Sequence, residues 1–587
     1  MKYTGAELVV RALEDERVPF TFGIPGTHNI ELYDALAESS VRAVLVTDEQ
    51  SASFMADAVW RASGRLGCAS VVPGAGLTHA MSGIAESYMD NIPMLVLGCG
   101  IRRDTGRAYQ LHDVDQISLV RAVTKAQFLP ARGEELYDIV RLACRTAREG
   151  VPGPVFVEIP ANMYLFRHEA NLPQRGELPR AASPAAPAEA IERAAVLLSN
   201  ARRPLIYLGL GAAPAGPEAL VELAERLEAP VASTFQGKGV FPESHPLFLW
   251  PGFGDAAPSF ARQIAGDCDA TLAIGCRFGE VATGSYGFTP PAPLIHVDID
   301  AEVIGRNYPA QVGIAGDSRE VVPALLKALS ARRAPDPRLR GRIRDGRREV
   351  REAQLKPSTN ERVAPARLLS SLQTVFGPDT IFTSDSGNGT FLAVECLTLD
   401  APGRLLAPVD YSCMGYAVPA AIGAKLARPD APVVALAGDG ALLMTGLEML
   451  TAATYGIPVL TCVLRDGELA QIAQFQRAAL ARTASSAIVP YDSGALFGSA
   501  IEILAMRNDD EIESVLRRAA DVLSSGRPAI IDVAIDYSEK TYFTRGVVKT
   551  NLLRLPWPDR LRFIGRALGR RLIGVGREPL AKIGDRT

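Results

Sequence analysis

Two acidic turns stand at the ends of apolar runs in the last third of the chain. VVALA leads into Gly438-Asp439-Gly440, and IPVLTCVL leads through Arg465 into Asp466-Gly467-Glu468, with the helix-like stretch ALLMTGLEMLTAATYG between them. In a parallel sheet the intervening helix returns the chain to the same edge, so both carboxylates reach one crevice. Asp439 also opens that helix, whose free N–H groups favour a phosphate. Two hard oxygen ligands beside such a helix end describe a Mg2+ site that keeps positions open for diphosphate oxygens. An isolated GDG at a strand end is also a common turn, so spacing alone leaves both readings open.

Other residues are chemically suggestive but weaker by themselves. Glu49 closes the apolar run VRAVLVT after Thr47 and Asp48, and a carboxylate there is in most proteins an ordinary strand terminus. Gly74 and Gly76, in VVPGAGLTHAMSGIAESYMDNIPML, allow close backbone approach. Met414 precedes a glycine in YSCMGYAVPAAIGAKLA, where core filling is the default for a methionine. His28, after Gly26-Thr27, serves equally as a loop residue bonded to a backbone carbonyl, and His112 as a surface residue.

The elements that must position these groups alternate in the manner of an α/β protein with parallel sheets. The rhythm repeats three times. Residues 1–170 carry the strand-like runs VRAVLVT, GCASVVP, PMLVLGCG and GPVFVEIP, and residues 188–330 carry RPLIYLGLG, ATLAIGCRF and PLIHVDID. Residues 362–540 carry DTIFTSDSG, PVVALAGDG, IPVLTCVLRD and PAIIDVAID. A Pro- and Ala-rich linker is expected at Asn171–Pro187, and a charged, solvated helix in RRAPDPRLRGRIRDGRREVREAQ. The expected fold class is α/β, three consecutive domains with mostly parallel sheets, and 587 residues accommodate them.

Composition removes several classes of function. The 62 basic and 66 acidic side chains balance to a net charge of -4, so no global basic surface exists for nucleic acid. The eight cysteines contain no CxxC pair and the six histidines no HExxH, which argues against a zinc site and suits reduced thiols in the cytoplasm. The N-terminus lacks the pattern of a signal peptide, and no apolar run reaches the ~20 residues that span a bilayer. Residues 541–587 differ from the rest, with eleven Lys or Arg against three Asp or Glu. Leu561, Ile564, Leu568 and Leu572 share one helical face there, opposite Arg566 and Arg570. A helix docked on its own protein or a neighbouring subunit fits this basic amphipathic tail, and so does a peripheral membrane contact.

GDG followed by a second oxygen ligand 27 residues after its Asp resembles the signature of thiamine diphosphate (ThDP) enzymes. The surrounding sequence, over about residues 3–540, is similar to the acetolactate synthase (acetohydroxyacid synthase) large subunit and related carboligases. The resemblance implies a pyrimidine-binding first domain, a central domain and a third domain that binds diphosphate and Mg2+. It places the metal on Asp439, Asp466 and the backbone carbonyl of Glu468, between Gly438 and Gly440 and the second turn. Asp466 stands where the family usually has Asn. Glu49 becomes the acid that hydrogen-bonds the aminopyrimidine and activates the cofactor, Gly74 and Gly76 the turn beside it, and Met414 the wedge that bends it. Pro73 and His79 depart from the family's pattern at that turn.

For the substrate, the resemblance points to Tyr109 and Gln110 in AYQLHDVDQISLVRAVTK, and the pocket candidates are Thr27, His28, Gln110 and His112. His28 resembles the histidine of benzaldehyde lyase-like carboligases and is a candidate proton relay with Glu49 and Gln110. The implied reaction is decarboxylation of a 2-oxo acid, pyruvate first, and transfer of the enamine to a second carbonyl compound by a ThDP-dependent transferase or lyase. The alternative is a non-oxidative 2-oxo acid decarboxylase or benzaldehyde lyase-like carboligase with another acyl donor. FAD stays open, because QGKGVFPESHPL, CRFGE and HVDID resemble the flavin-bearing scaffold whereas LWPGFGDAAPSF departs from it. A homodimer or homotetramer is implied, with the cofactor between the first domain of one subunit and the third of another.

Overall fold

The structure is a computed structural model that describes residues 1–170, 172, 187–329 and 331–573. The linker expected at Asn171–Pro187 lies, apart from Leu172 and Pro187, outside the described residues, as do residues 574–587 of the basic tail.

Three six-stranded parallel sheets follow one another along the chain. The first comprises β1 (Phe20–Gly23), β2 (Arg42–Leu45), β3 (Gly67–Val71), β4 (Met94–Gly100), β5 (Ala126–Phe128) and β6 (Pro154–Pro160), in the order β2-β1-β3-β4-β6-β5. The second has β7 (Pro204–Leu208), β8 (Val231–Ser233), β9 (Phe248–Pro251), β10 (Ala270–Ile274), β11 (Leu294–Asp298) and β12 (Val312–Ala315), in the order β9-β8-β7-β10-β11-β12. The third has β13 (Ile381–Ser384), β14 (Leu405–Leu406), β15 (Val433–Gly438), β16 (Leu460–Arg465), β17 (Glu502–Met506) and β18 (Ala529–Ala534), ordered β14-β13-β15-β16-β18-β17. Counted within each sheet, the first and third share the order 2-1-3-4-6-5, whereas the middle sheet runs 3-2-1-4-5-6 as in dinucleotide-binding folds. The central strands are fully buried, as parallel sheets covered on both faces must be.

The helices that matter for the site are α1 (Glu49–Ser63), α2 (Ala75–Met89), α3 (Pro337–Gln354), α4 (Ala417–Ala427), α5 (Asp439–Thr445), α6 (Glu448–Tyr455) and α7 (Ala470–Leu480), followed by α8 (Tyr542–Arg554) and α9 (Trp557–Ile573). Helix α1 begins at the Asp48 cap, whose side chain accepts from Gln50 N, and ends at Gly64 with φ 69°. Helix α3 is the charged stretch before the third domain. It is solvated on one side only, since Leu339, Ile343, Gly346 and Val350 are buried.

The first and third domains meet along α1 and α4, and Gly423 is what lets them close. A Cβ there would stand 2.4 Å from the Met55 carbonyl oxygen. Around this contact lies a buried polar network. Asp57 accepts from Arg61 Nε at 2.6 Å, Ser87 Oγ at 2.8 Å and Tyr416 Oη at 2.6 Å, and Arg61 reaches Asp90 at 2.8 Å. Glu86 accepts from Cys413 N at 3.1 Å, and burial followed by the nearby Asp90 pushes its carboxyl up to about 9. The folded chain therefore holds a proton on Glu86 across a window where the unfolded chain, near 4.5, has released it. Its contribution is complete below the unfolded value and is lost as pH rises through the folded one. The fall in stability between about pH 4.5 and about pH 9 should be shallower in Glu86→Gln than in the parent, read as denaturation midpoints against pH.

The C-terminal region is not a tail over its whole length. Helix α8 inserts between the middle and third domains: Glu395 accepts from the N–H groups of Tyr542 and Phe543 at 3.1 and 3.0 Å, at the helix start. Phe543 stacks on Phe391 with centroids 4.3 Å apart, and a Cβ on Gly546 would meet Ala256 N at 2.4 Å. Helix α9 lies against α7, where Arg570 donates to the Leu480 carbonyl at 2.8 Å. Its stripe residues Leu561, Ile564 and Leu568 remain exposed, as does Trp557.

Candidate active site

The GDG turn does what its position in the sheet requires. β15 and β16 are adjacent and parallel, with Gly438 beside Leu464, so Asp439 and Asp466 leave the sheet at one edge. Asp439 accepts from Gly440 N at 2.9 Å and from Gly467 N at 2.8 Å, which ties the two turns together. Asp466 accepts from Glu468 N at 3.3 Å. Burial raises the Asp439 carboxyl, and burial followed by repulsion from Asp439 pushes Asp466 up to about 7. A divalent ion held by both carboxylates would lower both. The Glu468 carboxylate is occupied by Arg477, which leaves this residue its backbone carbonyl for other work.

Met414 sits against this turn, its Cε 3.7 Å from where a Gly440 Cβ would be. Asp385, at the end of β13, accepts from Ala417 N at 3.0 Å and is pushed up to about 7 by burial. Asn388 is buried beside it in sequence, with its Oδ1 unpartnered.

In the first domain Glu49 is the opening residue of α1, 7% exposed, with His79 Nδ1 3.3 Å from its Oε2. Asp48, Glu49 and His79 offer polar atoms within 4.8 Å of one another. Gly76 keeps the space over the carboxylate clear, since a Cβ there would lie 3.0 Å from Glu49 Oε1 and 2.8 Å from Val72 Cγ2. Gly74 turns with φ 65° and donates its N–H to Gln116 Oε1 at 3.2 Å. His28 and His112 pack edge to face at 5.4 Å, Thr27 Oγ1 lies 3.2 Å from His28 Nδ1, and the His112 carbonyl stands 3.4 Å from the Gly74 Cβ position. Burial and then His112 lower the His28 pKa, which favours the neutral ring.

Thr27, His28, Gly74 and His112 therefore come together, Gly76 and His79 lie at Glu49, and Met414 joins the two acidic turns. Tyr109 and Gln110 do not join them in the single chain. Tyr109 is 100% exposed at φ 59°, and the Gln110 amide donates to the carbonyls of Arg102 and Arg107 at 3.0 and 3.3 Å. The glutamine at the Gly74 turn is Gln116, buried, donating to the Cys99 carbonyl at 3.0 Å. Only its spacing to the apolar run after it could have marked it. Glu448 is the other residue that sequence reasoning passed over: its Oε1 accepts from Thr47 N, Thr47 Oγ1 and Asp48 N at 2.8, 2.6 and 3.1 Å, fixing the segment just before Glu49 to the third domain.

Known proteins with this combination are found over almost the entire chain. Thiamine pyrophosphate enzyme domains match in series: the N-terminal TPP binding domain over residues 3–119, the central domain over 191–325 and the C-terminal TPP binding domain over 385–533. The probable acetolactate synthase large subunit of Methanocaldococcus jannaschii is 32% identical over 554 residues, 91% of this chain and 92% of that one. The chain belongs to the acetolactate synthase family of thiamine pyrophosphate enzymes. Acetolactate synthase isozyme 3 large subunit of Escherichia coli is 31% identical across 92% of this chain and 96% of its own, and an acetolactate synthase of Mycobacterium bovis is 33% identical across 81% and 78%. The three parallel sheets are the α/β fold of these enzymes, and the chain is a thiamine pyrophosphate-dependent enzyme. Among the described residues no helix is long and apolar enough to cross a membrane.

Proposed function

We propose that the chain decarboxylates a 2-oxo acid, pyruvate, and joins the remaining acyl unit to a second carbonyl compound, in the manner of its acetolactate synthase relatives. The observation that carries this reading is the geometry of the two acidic turns, with Asp439 and Asp466 leaving adjacent parallel strands at one edge and Gly467 N donating to Asp439 at 2.8 Å. Asp439, Asp466 and the Glu468 backbone carbonyl would hold Mg2+, which would anchor the cofactor's diphosphate. Gly76 allows close backbone approach beside Glu49, the residue that would meet the aminopyrimidine. Bound thiamine diphosphate supplies the carbon nucleophile and electron sink for decarboxylation.

The protein's own groups orient and move protons. Glu49 holds a proton at its carboxylate toward the pyrimidine, with His79 Nδ1 on its other side. His28, kept neutral, accepts or returns a proton at the oxygen of the ligated product, with Thr27 and His112 beside it. Met414, beside Gly440, would be the side chain that holds the cofactor in its bent form. Tyr109 and Gln110, on the outer surface of the single chain, reach a substrate in an oligomer, and a dimer or tetramer that sets the first domain of one subunit on the third of another is part of the proposal. The exposed α9 stripe supports a subunit contact first and a peripheral membrane contact second. Eight free, buried cysteines suit a cytoplasmic enzyme.

FAD does not enter this reading. At the crossover of the middle sheet, between β7 and β10, the loops lie backbone on backbone: Gly211 N donates to the Gly275 carbonyl at 3.3 Å, and a Cβ on Gly275 would stand 2.4 Å from Gly211 Cα. That contact sets how closely the two loops approach, and no step is assigned to a flavin.

Purified protein given ThDP, Mg2+ and pyruvate should release acetolactate, with CO2 in equal amount. Stoichiometric acetaldehyde without acetolactate would overturn ligation and favour the decarboxylase alternative. No product from pyruvate, with ligation of another donor in a panel of 2-oxo acids and aldehydes, would favour the benzaldehyde lyase-like one.

A further inference from the structure

Position 79 departs from the family's pattern, and the fold brings its imidazole to the carboxyl group that serves the cofactor. Helix α2 packs along α1. Gly76 and Gly83, two turns apart on one face of α2, set how closely the helices approach: a Cβ on Gly83 would run into the Ser53 side chain, and one on Gly76 would stand 3.0 Å from Glu49 Oε1. Glu49 and Ser53 are neighbours one turn apart on α1. His79 follows Gly76 by one turn on the same face, and its Nδ1 lies 3.3 Å from Glu49 Oε2. The two carboxyl oxygens therefore face different partners, Oε1 the Gly76 backbone and Oε2 the imidazole. On the far side Glu448 holds the N–H groups of Thr47 and Asp48 at 2.8 and 3.1 Å, so the start of α1 is anchored independently of α2.

Glu49 exchanges a proton with the cofactor's ring nitrogen, and what stands against its second oxygen sets how firmly it keeps that proton. A neutral imidazole protonated at Nδ1 donates one hydrogen bond to Oε2 and carries no charge. An imidazolium places a full positive charge there, and an opposite charge at this range drives a carboxyl to ionise. Glu49 is buried, so a neighbour's charge acts on it more strongly than in water. Histidine changes charge between about pH 5 and about pH 8.

We propose that His79 is a positioning residue whose charge decides whether Glu49 serves the cofactor. Neutral, it donates to Oε2 and leaves the carboxyl proton at Oε1, toward the aminopyrimidine; protonated, it turns Glu49 into a carboxylate paired with an imidazolium, and activation of the cofactor falls. His79 acts through Glu49, so its role rests on the one proposed for that residue. The other ionisable groups that face the pair are Asp48, which accepts from Gln50 N at 3.2 Å, Tyr33 of the helix Ile30–Ala37, and Glu448 of α6. Burial raises Tyr33 and Glu448. None of them is altered in a variant of His79, and His28 acts on a ligated product that forms only after the cofactor is activated.

The test uses the full chain loaded with ThDP and Mg2+ and no substrate. It follows deuterium exchange at the cofactor's reactive carbon against pH, with ThDP affinity read by calorimetry over the same range. In the parent, exchange should fall about tenfold between about pH 8 and about pH 5.5, and the Kd for ThDP should rise. His79→Asn keeps an N–H donor near the place of Nδ1 but takes up no proton. It should lower exchange at about pH 8 about threefold, move the midpoint of the acid limb down by about one pH unit or more, and flatten the rise in Kd. His79→Ala, which supplies no donor, should lower exchange at about pH 8 further, about threefold to tenfold, with the same displaced limb. A parent without an acid limb, or a limb unmoved in both variants with melting profiles like the parent's, would overturn the proposal while leaving the role of Glu49 intact. Parent-like exchange in Glu49→Gln would overturn both.

Discussion

Glu49→Gln should lower turnover on pyruvate by about 10²- to 10⁴-fold, the range for loss of a positioned acid–base group. The substitution is isosteric. Glu49 is the first residue of α1, 7% exposed, and the amide keeps its volume, the helix start and a polar contact with His79. What it removes is the ability to exchange a proton with a ring nitrogen, because the amide can donate a hydrogen bond but does not ionise. Cofactor affinity and melting temperature should therefore change little while the rate falls. The decisive measurement is deuterium exchange at the cofactor's reactive carbon, set beside steady-state turnover in the same preparation. Parent-like exchange in the variant would refute the role assigned to Glu49, because that step precedes any encounter with substrate.

Asp57→Ala should destabilise the junction of the first and third domains by about 3–5 kcal/mol, the cost of breaking a buried ion pair by removing one partner. Asp57 is fully buried and Arg61 is 8% exposed, so water cannot take over the guanidinium. Asp90 compensates part of the charge at 2.8 Å, but Ser87 and Tyr416 each lose their acceptor. Asp57→Asn, which retains an acceptor oxygen, should lose less. A chain of three domains need not unfold in one step. The measurement is therefore the first transition in denaturant together with hydrogen exchange along α1 and α4, and a shift under about 1 kcal/mol, the size of a surface pair, would contradict the assignment.

In each of the three sheets the strands that form unbroken apolar runs, such as VVALA and PMLVLGCG, were legible because parallel sheets bury both faces, whereas shorter strands such as Phe20–Gly23, Val231–Ser233 and Glu502–Met506 were not read. The two acidic turns were legible for the same reason, as each ends such a run. Less local features were not. Glu448 meets Thr47 and Asp48 across about four hundred positions of chain, and no period or motif announces a pair at that separation. Gln116 outranks Gln110 at the Gly74 turn only because the chain after Cys99 doubles back over it. His79 drew notice as a departure from the family's pattern, but its approach to Glu49 depends on how α2 crosses α1. The basic excess after residue 541 hid a division that charge could not reveal, since Phe543 and Thr544 are as buried as core residues while Leu561 and Leu568 stay in solvent.

That division decides where the protein can be cut. Thr541 caps α8 through its side chain, and Tyr542, Phe543 and Gly546 wedge two domains together. A deletion beginning at Thr541 would thus remove a keystone, and any lost activity or solubility would report on domain assembly. A deletion beginning at Trp557 would strip the exposed stripe and the α9 contact with α7 but leave that wedge in place. Affinity handles, fluorescent fusions and tethering to a surface belong on the far side of that second boundary.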